Sequence, residues 1–464
     1  MAVGDPGYPQ GEGGLLPFTA PENSGTVRVV GNTKGGRMVG GALLRNSGIG
    51  PGRNSSVARF SGFGAAGATT GASNSIVVAR HFDAPFQMAR VAFVNLGGAP
   101  YTVGISKVAP SPSINNNGTA LTNTTVTFNK SGTAKLGDLP GADSSAIFSA
   151  PVTTFDVPAS IYTNNVPTIT TSDWVPCRSV ACTDTGKTDL FVLQARAYVS
   201  TAMGIRSMGG AASGNTSDYN ANSRRGWYGA LSAGDQVTGN AAMTPVTGWQ
   251  WNCFAELQVL STSSIFNHAL PGGDSTFKGQ GNFDANNGGW GWSQRACEAM
   301  TDAGLGIHNL SNHALSGQVK GASIETAMNI VAQGGFATAT MNGWSPNNAG
   351  SSTNSPLSLL DFFYAVDAFI DLCLAVGTKP ILCTQFPDFT ITSGVNSAAW
   401  DALNTFIRSR VSRGAYIADF AAVTALTSAT WKTGYSLDNR HPAATAQVAI
   451  QAEWTRVVRL ALDL

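Results

Sequence analysis

Charge is what this sequence has least of. Lys and Arg number 28 and Asp and Glu 27 among 464 residues, 12% charged against roughly 25% in an average soluble domain. The formal net charge is +1 and no long run of like charge occurs, so binding to nucleic acid or an anionic membrane through a basic field is excluded. No stretch of 18 consecutive apolar residues offers a membrane span. Residues Met1 to Pro17 carry neither the basic start nor the apolar core of a secretory signal. Export is therefore expected by lysis, by a non-classical route or as part of a particle. Only six cysteines and five histidines are present, and no C-x-x-C unit.

Apolar residues make up 43% of the chain, which excludes charge-driven disorder, and Gly supplies 54 positions. A neutral surface of Ser, Thr, Asn and Gly fits an extracellular, cell-surface or virion protein better than a cytosolic metabolic enzyme. Cys177 and Cys182 (CRSVAC) could close a small disulfide loop or remain separate buried thiols. With no histidine near them in the chain, zinc is not expected there.

At roughly 100 to 200 residues per domain, the length implies two or three units. Residues 1–25, rich in Gly and Pro, read as a flexible or partner-dependent leader. Residues 26–260 hold short apolar runs between turn formers, such as Thr26 to Val30, Ser75 to Ala79, Met88 to Asn95, Thr124 to Phe128 and Leu190 to Tyr198. These read as strands of an all-β sandwich or jelly roll. Residues 261–464 change period. Apolar residues at three- and four-residue spacing predict helices over 289–303, 322–332, 358–375, 398–411 and 443–462, with strands over 306–310, 336–341, 379–384 and 416–420. Strand and helix in alternation predict a doubly wound parallel sheet with its site at the carboxyl ends of the strands.

Two motifs stand where such a site belongs. Gly272-Gly273-Asp274-Ser275 ends the first strand of this half, and Asp438-Asn439-Arg440-His441 precedes the last helix. A serine needs a base to become a nucleophile. The three-residue spacing lets Asp438 accept from His441 Nδ1, which leaves Nε2 for the Ser275 proton. His81, His268, His308 and His313 have no carboxylate so placed in sequence and read as structural.

The GDS and the D-x-x-H, 166 residues apart from Ser275 to His441, resemble the first and last blocks of the SGNH/GDSL hydrolases. That resemblance spans about residues 262–464. It implies a flavodoxin-like α/β/α domain that hydrolyses esters with Ser275, His441 and Asp438 and needs no cofactor or metal. Asn312 to Gly317 (NHALSG) is similar to the family's second block, and Asn342 to Asn348 (NGWSPNN) looks like a variant of its third. The family pattern thus implies an oxyanion hole from the N–H groups of Ser275 and Gly317 and the side chain of Asn347, with Asn348 as fallback. The third block departs from the pattern by residues interposed after Gly343 and by Asn348 where the family has Asp.

Trp290, Trp292 and Trp344 fall in turns expected around the serine, either exposed for stacking on sugar or acyl groups or buried as core. The front half looks like β-modules that precede such esterases in bacterial and phage proteins, and is expected to bind carbohydrate, to attach to a particle or to form oligomers. The combined expectation is a serine esterase removing O-acetyl groups from a polysaccharide outside the cell or on a virion such as a phage tail. The alternatives are a lipolytic or polyester esterase and a non-enzymatic structural protein with a relic hydrolase fold.

Overall fold

The computed structural model describes residues 55–62, 66–70, 73–95, 99–114, 124–125, 154–157, 168–200, 203–208, 227–239, 241–245, 250–278, 291–314, 320–341, 359–387 and 394–464. The expected leader at 1–25 and the strand expected at Thr26 to Val30 lie outside these residues.

Among the described residues from 55 to 270, the regular elements are all strands. They include β1 (Ser55–Gly62), β2 (Asn74–Phe82), β3 (Phe86–Asn95), β4 (Tyr101–Ser111), β5 (Phe191–Val199), β6 (Trp227–Ala233) and β7 (Phe254–Leu270). The order β6-β2-β5-β4 forms the centre of an antiparallel sheet, with β2 in continuous register between β5 and β6. The period-2 alternation of β2 sends its side chains to the two faces in turn, and Ile76, Val77, Val78, Ala79 and Phe82 are buried there together with Ser75, Arg80 and His81. Ile76 and Val78 pack toward β3 and β7 with Phe93, Leu257 and Val259, while Val77 and Ala79 pack on the opposite face with Ile114, Cys182 and Leu190. Covered on both faces, β2 is buried at every position from Ser75 to Phe82.

From β7 onward the chain alternates as its periodicity predicts. The short α1 (Ser275–Lys278) is followed by α2 (Trp292–Asp302), β8 (Ile307–Asn312), α3 (Lys320–Ala332), β9 (Thr338–Met341), α4 (Leu359–Ala375), β10 (Lys379–Cys383), α5 (Gly394–Ser409), β11 (Tyr416–Ala418) and α6 (Ala444–Leu462). The parallel strands lie in the order β8-β7-β9-β10-β11. Counted from β7 this is 2-1-3-4-5, the flavodoxin-like order, whose ligand crevice opens at the carboxyl end of the first and third strands.

Alternation along the strands sends side chains to two helical layers. Leu270, Ile381 and Cys383 meet Trp292, Ala296, Met300, Ile450 and Trp454 of α2 and α6. Ala269, Ala339 and Leu382 meet Ile330, Phe369 and Leu403 of α3, α4 and α5. The outcome is a three-layer α/β/α unit.

The two halves share a strand. The first part of β7 pairs antiparallel with β3 and β1, from Phe254 opposite Phe93 to Ser261 opposite Phe86, and its last part pairs in parallel with β8, from Ile265 to Leu270. A junction at residues 260 and 261 therefore falls inside one continuous strand. No helix among the described residues is long and apolar enough to cross a membrane.

Candidate active site

Ser275 follows β7 by five residues and is the first residue of α1. The link is built from close approaches. A Cβ at Gly272 would lie 2.2 Å from the Ser323 carbonyl oxygen of α3, and Gly273 has φ +149° with its Cβ position 2.7 Å from Phe277 Cβ. Neither position accommodates a side chain, which is the local reason for the paired glycines. They seat α1 against its neighbours. Asp274 Oδ1 then accepts from the Thr276 N–H at 3.0 Å and from the Thr276 hydroxyl at 2.6 Å, an Asx-type turn that fixes the entry into α1. Trp292 Nε1 donates to the Thr276 carbonyl at 3.4 Å from below.

The histidine loop is closed as firmly. Asn439 takes the left-handed conformation at φ +62°, one that Asn tolerates better than most residues. The turn it makes brings the Asp438 carboxylate back onto the chain, where Oδ1 accepts from the N–H groups of Arg440 at 2.9 Å and His441 at 2.7 Å. The His441 carbonyl accepts from the Leu437 N–H at 3.0 Å and the Ser436 hydroxyl at 3.1 Å, and Trp431 Nε1 donates to the Asn439 carbonyl at 3.2 Å. The last helix starts only after Ala443, whose side chain gives no cap. The D-x-x-H carboxylate thus serves the loop and the imidazole rather than the helix.

These two loops bring three side chains into line. Ser275 Oγ lies 2.8 Å from His441 Nε2, and His441 Nδ1 lies 2.6 Å from Asp438 Oδ2. An ionised carboxylate only accepts, so Nδ1 carries the imidazole proton and Nε2 is left to accept from the serine hydroxyl. His441 is largely buried, with 14% of its side chain exposed, while Asp438 is 53% exposed. Loss of solvent pushes the Asp438 pKa up. The hydrogen bonds from the His441 N–H, the His441 ring and the Arg440 N–H outweigh it and bring the pKa to about 2. The carboxylate is therefore ionised at neutral pH. In chemical terms the arrangement can withdraw a proton from Ser275 Oγ as that oxygen attacks and hold the resulting imidazolium beside a fixed negative charge.

A stack of aromatic rings joins the two loops from beneath. Trp431, under the histidine loop, stacks on Phe386, which stacks on Phe420; Phe420 packs edge-on against Trp292, and Trp292 edge-on against Phe277 of α1. All five are buried. The sequence expectation for Trp292 is corrected here. It is fully buried in the core between α2, α6 and α1 and cannot stack on a substrate. Its place as the first residue of α2, one turn before Ala296, made it core. Its contribution is to hold the backbone next to Ser275.

Trp290, Trp344, Gly317, Asn347 and Asn348 lie outside the described residues. The second block is described as far as Ala314. There Asn312 donates through Nδ2 to the Phe277 carbonyl at 3.1 Å and accepts through Oδ1 from the Ala314 N–H at 2.9 Å. Asn312 was not singled out in the sequence, yet it ties the end of α1 to the loop that leads toward Gly317.

The remaining histidines are buried, and two of them do meet carboxylates. His313 Nε2 lies 2.9 Å from Glu256 Oε1 and 2.8 Å from Ser311 Oγ, and His81 Nε2 lies 3.2 Å from Asp184 Oδ2. Both partners come from distant sequence, which a search of adjacent residues does not reach. His268 and His308 stack at 5.2 Å and hydrogen-bond at 2.9 Å inside the sheet. Cys177 and Cys182 are separate buried thiols.

No protein-family model matches the chain, and no curated protein does. Solved structures are similar over part of it. The psychrotrophic esterase EstA from Pseudoalteromonas sp. is 17% identical, covers 43% of this chain and 99% of its own, and has a TM-score of 0.33. A GDSL-like lipase from Bacteroides thetaiotaomicron is 15% identical over 43% of this chain and 89% of its own, with a TM-score of 0.33. The acetylxylan esterase Axe2 from Geobacillus stearothermophilus is 12% identical over 43% and 94%, also with a TM-score of 0.33.

Proposed function

We propose that the chain is a serine esterase of the SGNH/GDSL type, and that Ser275, His441 and Asp438 are its catalytic triad. The observation that carries this reading is the continuous hydrogen-bonded line from Ser275 Oγ through His441 to Asp438, at 2.8 and 2.6 Å. In this reading Ser275 Oγ attacks the ester carbonyl carbon while His441 Nε2 takes its proton. The tetrahedral intermediate collapses, and His441 returns the proton to the departing alcohol. Water, deprotonated by the same imidazole, then releases the acid from the acyl-enzyme. The Ser275 N–H, the Gly317 N–H and Asn347, with Asn348 as fallback, are the proposed oxyanion donors. One such donor contributes about 2.7 to 4 kcal/mol to the transition state.

The proposed substrate is an O-acetylated polysaccharide. Its support is the neutral composition, rich in Gly, Ser and Asn, since Trp292 faces inward. A lipolytic reading would need an apolar rim at the site. Leu437 beside Asp438 is 63% exposed, and a single exposed leucine is ordinary. The relic reading is opposed by the three aligned side chains.

The test is turnover of p-nitrophenyl acetate by the full chain and by Ser275→Ala. The variant is expected to keep the circular dichroism of the parent and to lose roughly 10,000-fold or more in kcat/KM. Unchanged turnover would overturn the assignment. Acetate release from a panel of acetylated glycans, set against rates on p-nitrophenyl esters of rising chain length, separates the glycan reading from the lipolytic one.

A further inference from the structure

A second cluster of reactive side chains lies in the front region. His81 near the end of β2, Cys182 and Asp184 bring one ligand atom each to a common point: Cys182 Sγ is 3.1 Å from Asp184 Oδ2 and 3.7 Å from His81 Nε2, and those two are 3.2 Å apart. Zinc bonds of ~2.0 Å to nitrogen or oxygen and ~2.3 Å to sulfur, at the tetrahedral angle, separate ligand atoms by ~3.3 to 3.5 Å. The triangle of His81, Cys182 and Asp184 therefore has the dimensions of one face of a zinc tetrahedron.

The cluster is also supported from outside. The Ser113 hydroxyl donates to the other carboxylate oxygen, Asp184 Oδ1, at 2.6 Å, and the Ile114 N–H donates to Oδ2 at 3.0 Å. The Asp184 N–H points at Cys182 Sγ at 3.4 Å, a contact that favours a thiolate. The backbone is held too, by Cys182 N–H to the Leu190 carbonyl at 3.1 Å and Thr183 N–H to the Pro112 carbonyl at 2.6 Å. Partners of this kind orient metal ligands and fix their tautomers. His81 and Cys182 are almost fully buried and the Asp184 side chain is 10% exposed, which leaves a narrow side open to solvent.

We propose that His81 Nε2, Cys182 Sγ and Asp184 Oδ2 form a binding site for one zinc-like divalent cation, with water completing the tetrahedron. The donor set of one thiolate, one imidazole and one carboxylate is of the borderline softness that zinc and cobalt(II) prefer. On binding, the Cys182 thiol releases its proton to solvent and the metal–sulfur bond forms. His81, neutral, keeps its proton on Nδ1 and offers Nε2. Lys187 and Arg80 stand near enough to act on His81 electrostatically. Their field opposes a bare cation, and the two anionic ligands neutralise the ion's two charges. Bound there, the ion ties β2 to the 181–184 segment across about 100 residues of chain, and through Ser113 to the end of β4. At a concentration hundredfold above its Kd it would raise the ratio of folded to unfolded chain about a hundredfold.

The test is titration of metal-free full-length protein with cobalt(II). The expected result is saturation at one ion per chain, with the visible bands of tetrahedral cobalt and a near-ultraviolet thiolate-to-cobalt band. Cys182→Ser should abolish the thiolate band, and Ser113→Ala, which keeps all three ligands, should retain it with a Kd weakened tenfold to hundredfold. Two results would overturn the site: no thiolate band in the parent protein, or a band of full strength in folded Cys182→Ser. The parent titration alone decides the matter if that variant does not fold.

Discussion

In the α/β half Asp438 and His441 are three residues apart, and Ser275, 166 residues before His441, stands five residues beyond its strand. In the front region His81 meets Cys182 and Asp184 across about 100 residues, on segments brought together by the pairing of β2 with β5 and by the bonds of residues 182–184 to Leu190, Pro112 and Ser113. The first arrangement is set by two short loops on a layered scaffold, so its chemistry is written as motifs. The second is set by sheet packing, so no motif announces it. Both are hydrogen-bonded clusters that join a local pair to a distant partner, Asp438 and His441 to Ser275 and Cys182 and Asp184 to His81. They differ in exposure, since Asp438 is half exposed whereas His81 and Cys182 are buried.

That comparison is sharpened first at Asp438. If the loop's purpose is to orient the imidazole, Asp438→Asn should cost roughly 10,000-fold in kcat, because the amide can donate to Nδ1 and stabilise the wrong tautomer. Stopped-flow or steady-state hydrolysis of p-nitrophenyl acetate measures it. A loss below tenfold would mean that the carboxylate holds only the backbone of the loop.

The scaffold beneath the loops comes next. Trp292→Ala removes a fully buried ring in contact with Phe277, Phe420 and Trp454. It should destabilise the chain by about 3 to 5 kcal/mol in urea denaturation. Unchanged stability with a raised KM would restore the substrate-facing reading that the burial overturned.

A smaller effect is expected of Gly273→Ala, which puts a Cβ at φ +149° and 2.7 Å from Phe277 Cβ. Strain of about 1 to 3 kcal/mol, read as a lower denaturation midpoint, should come with slower turnover, since α1 carries the nucleophile. A neutral outcome would show that the paired glycines are incidental to the placement of Ser275.

The smallest effect is electrostatic. The folded-state pKa of Asp438 lies below its unfolded value, so its contribution to stability is complete above about pH 4 and disappears as pH falls through about 2. With the carboxylate half exposed, that contribution should stay below about 1 kcal/mol. Acid unfolding of the parent and of Asp438→Asn should therefore converge near pH 2 and differ slightly above pH 4.

Legibility in the sequence follows the same division. The five long helices of the α/β half were readable because each buries one face, which leaves a three- to four-residue period, and four of its strands because they are short runs buried on both faces between turn formers. The serine and histidine segments were readable because tight turns demand particular residues. The choice between the exposed and the buried reading of Trp292 was not legible, because burial of its ring depends on α6 and on Phe420, both far along the chain. The junction near residue 260 was not readable as a shared strand. A β-strand changes partners without changing its alternation, so β7 gives no local sign of passing from an antiparallel to a parallel neighbour. The histidine–carboxylate contacts at His81 and His313 were invisible for the same reason, since their partners come from other strands and loops.

Covalent trapping reads the activation of Ser275 by His441 at the reacting oxygen itself. The full chain is incubated with diethyl p-nitrophenyl phosphate and mapped by peptide mass spectrometry. A nucleophilic serine displaces p-nitrophenolate from phosphorus and passes its proton to the imidazole. The account expects one diethylphosphoryl group per chain, on Ser275, and little or none in His441→Ala. An unmodified Ser275 peptide in the parent protein, or equal labelling after loss of His441, would contradict it.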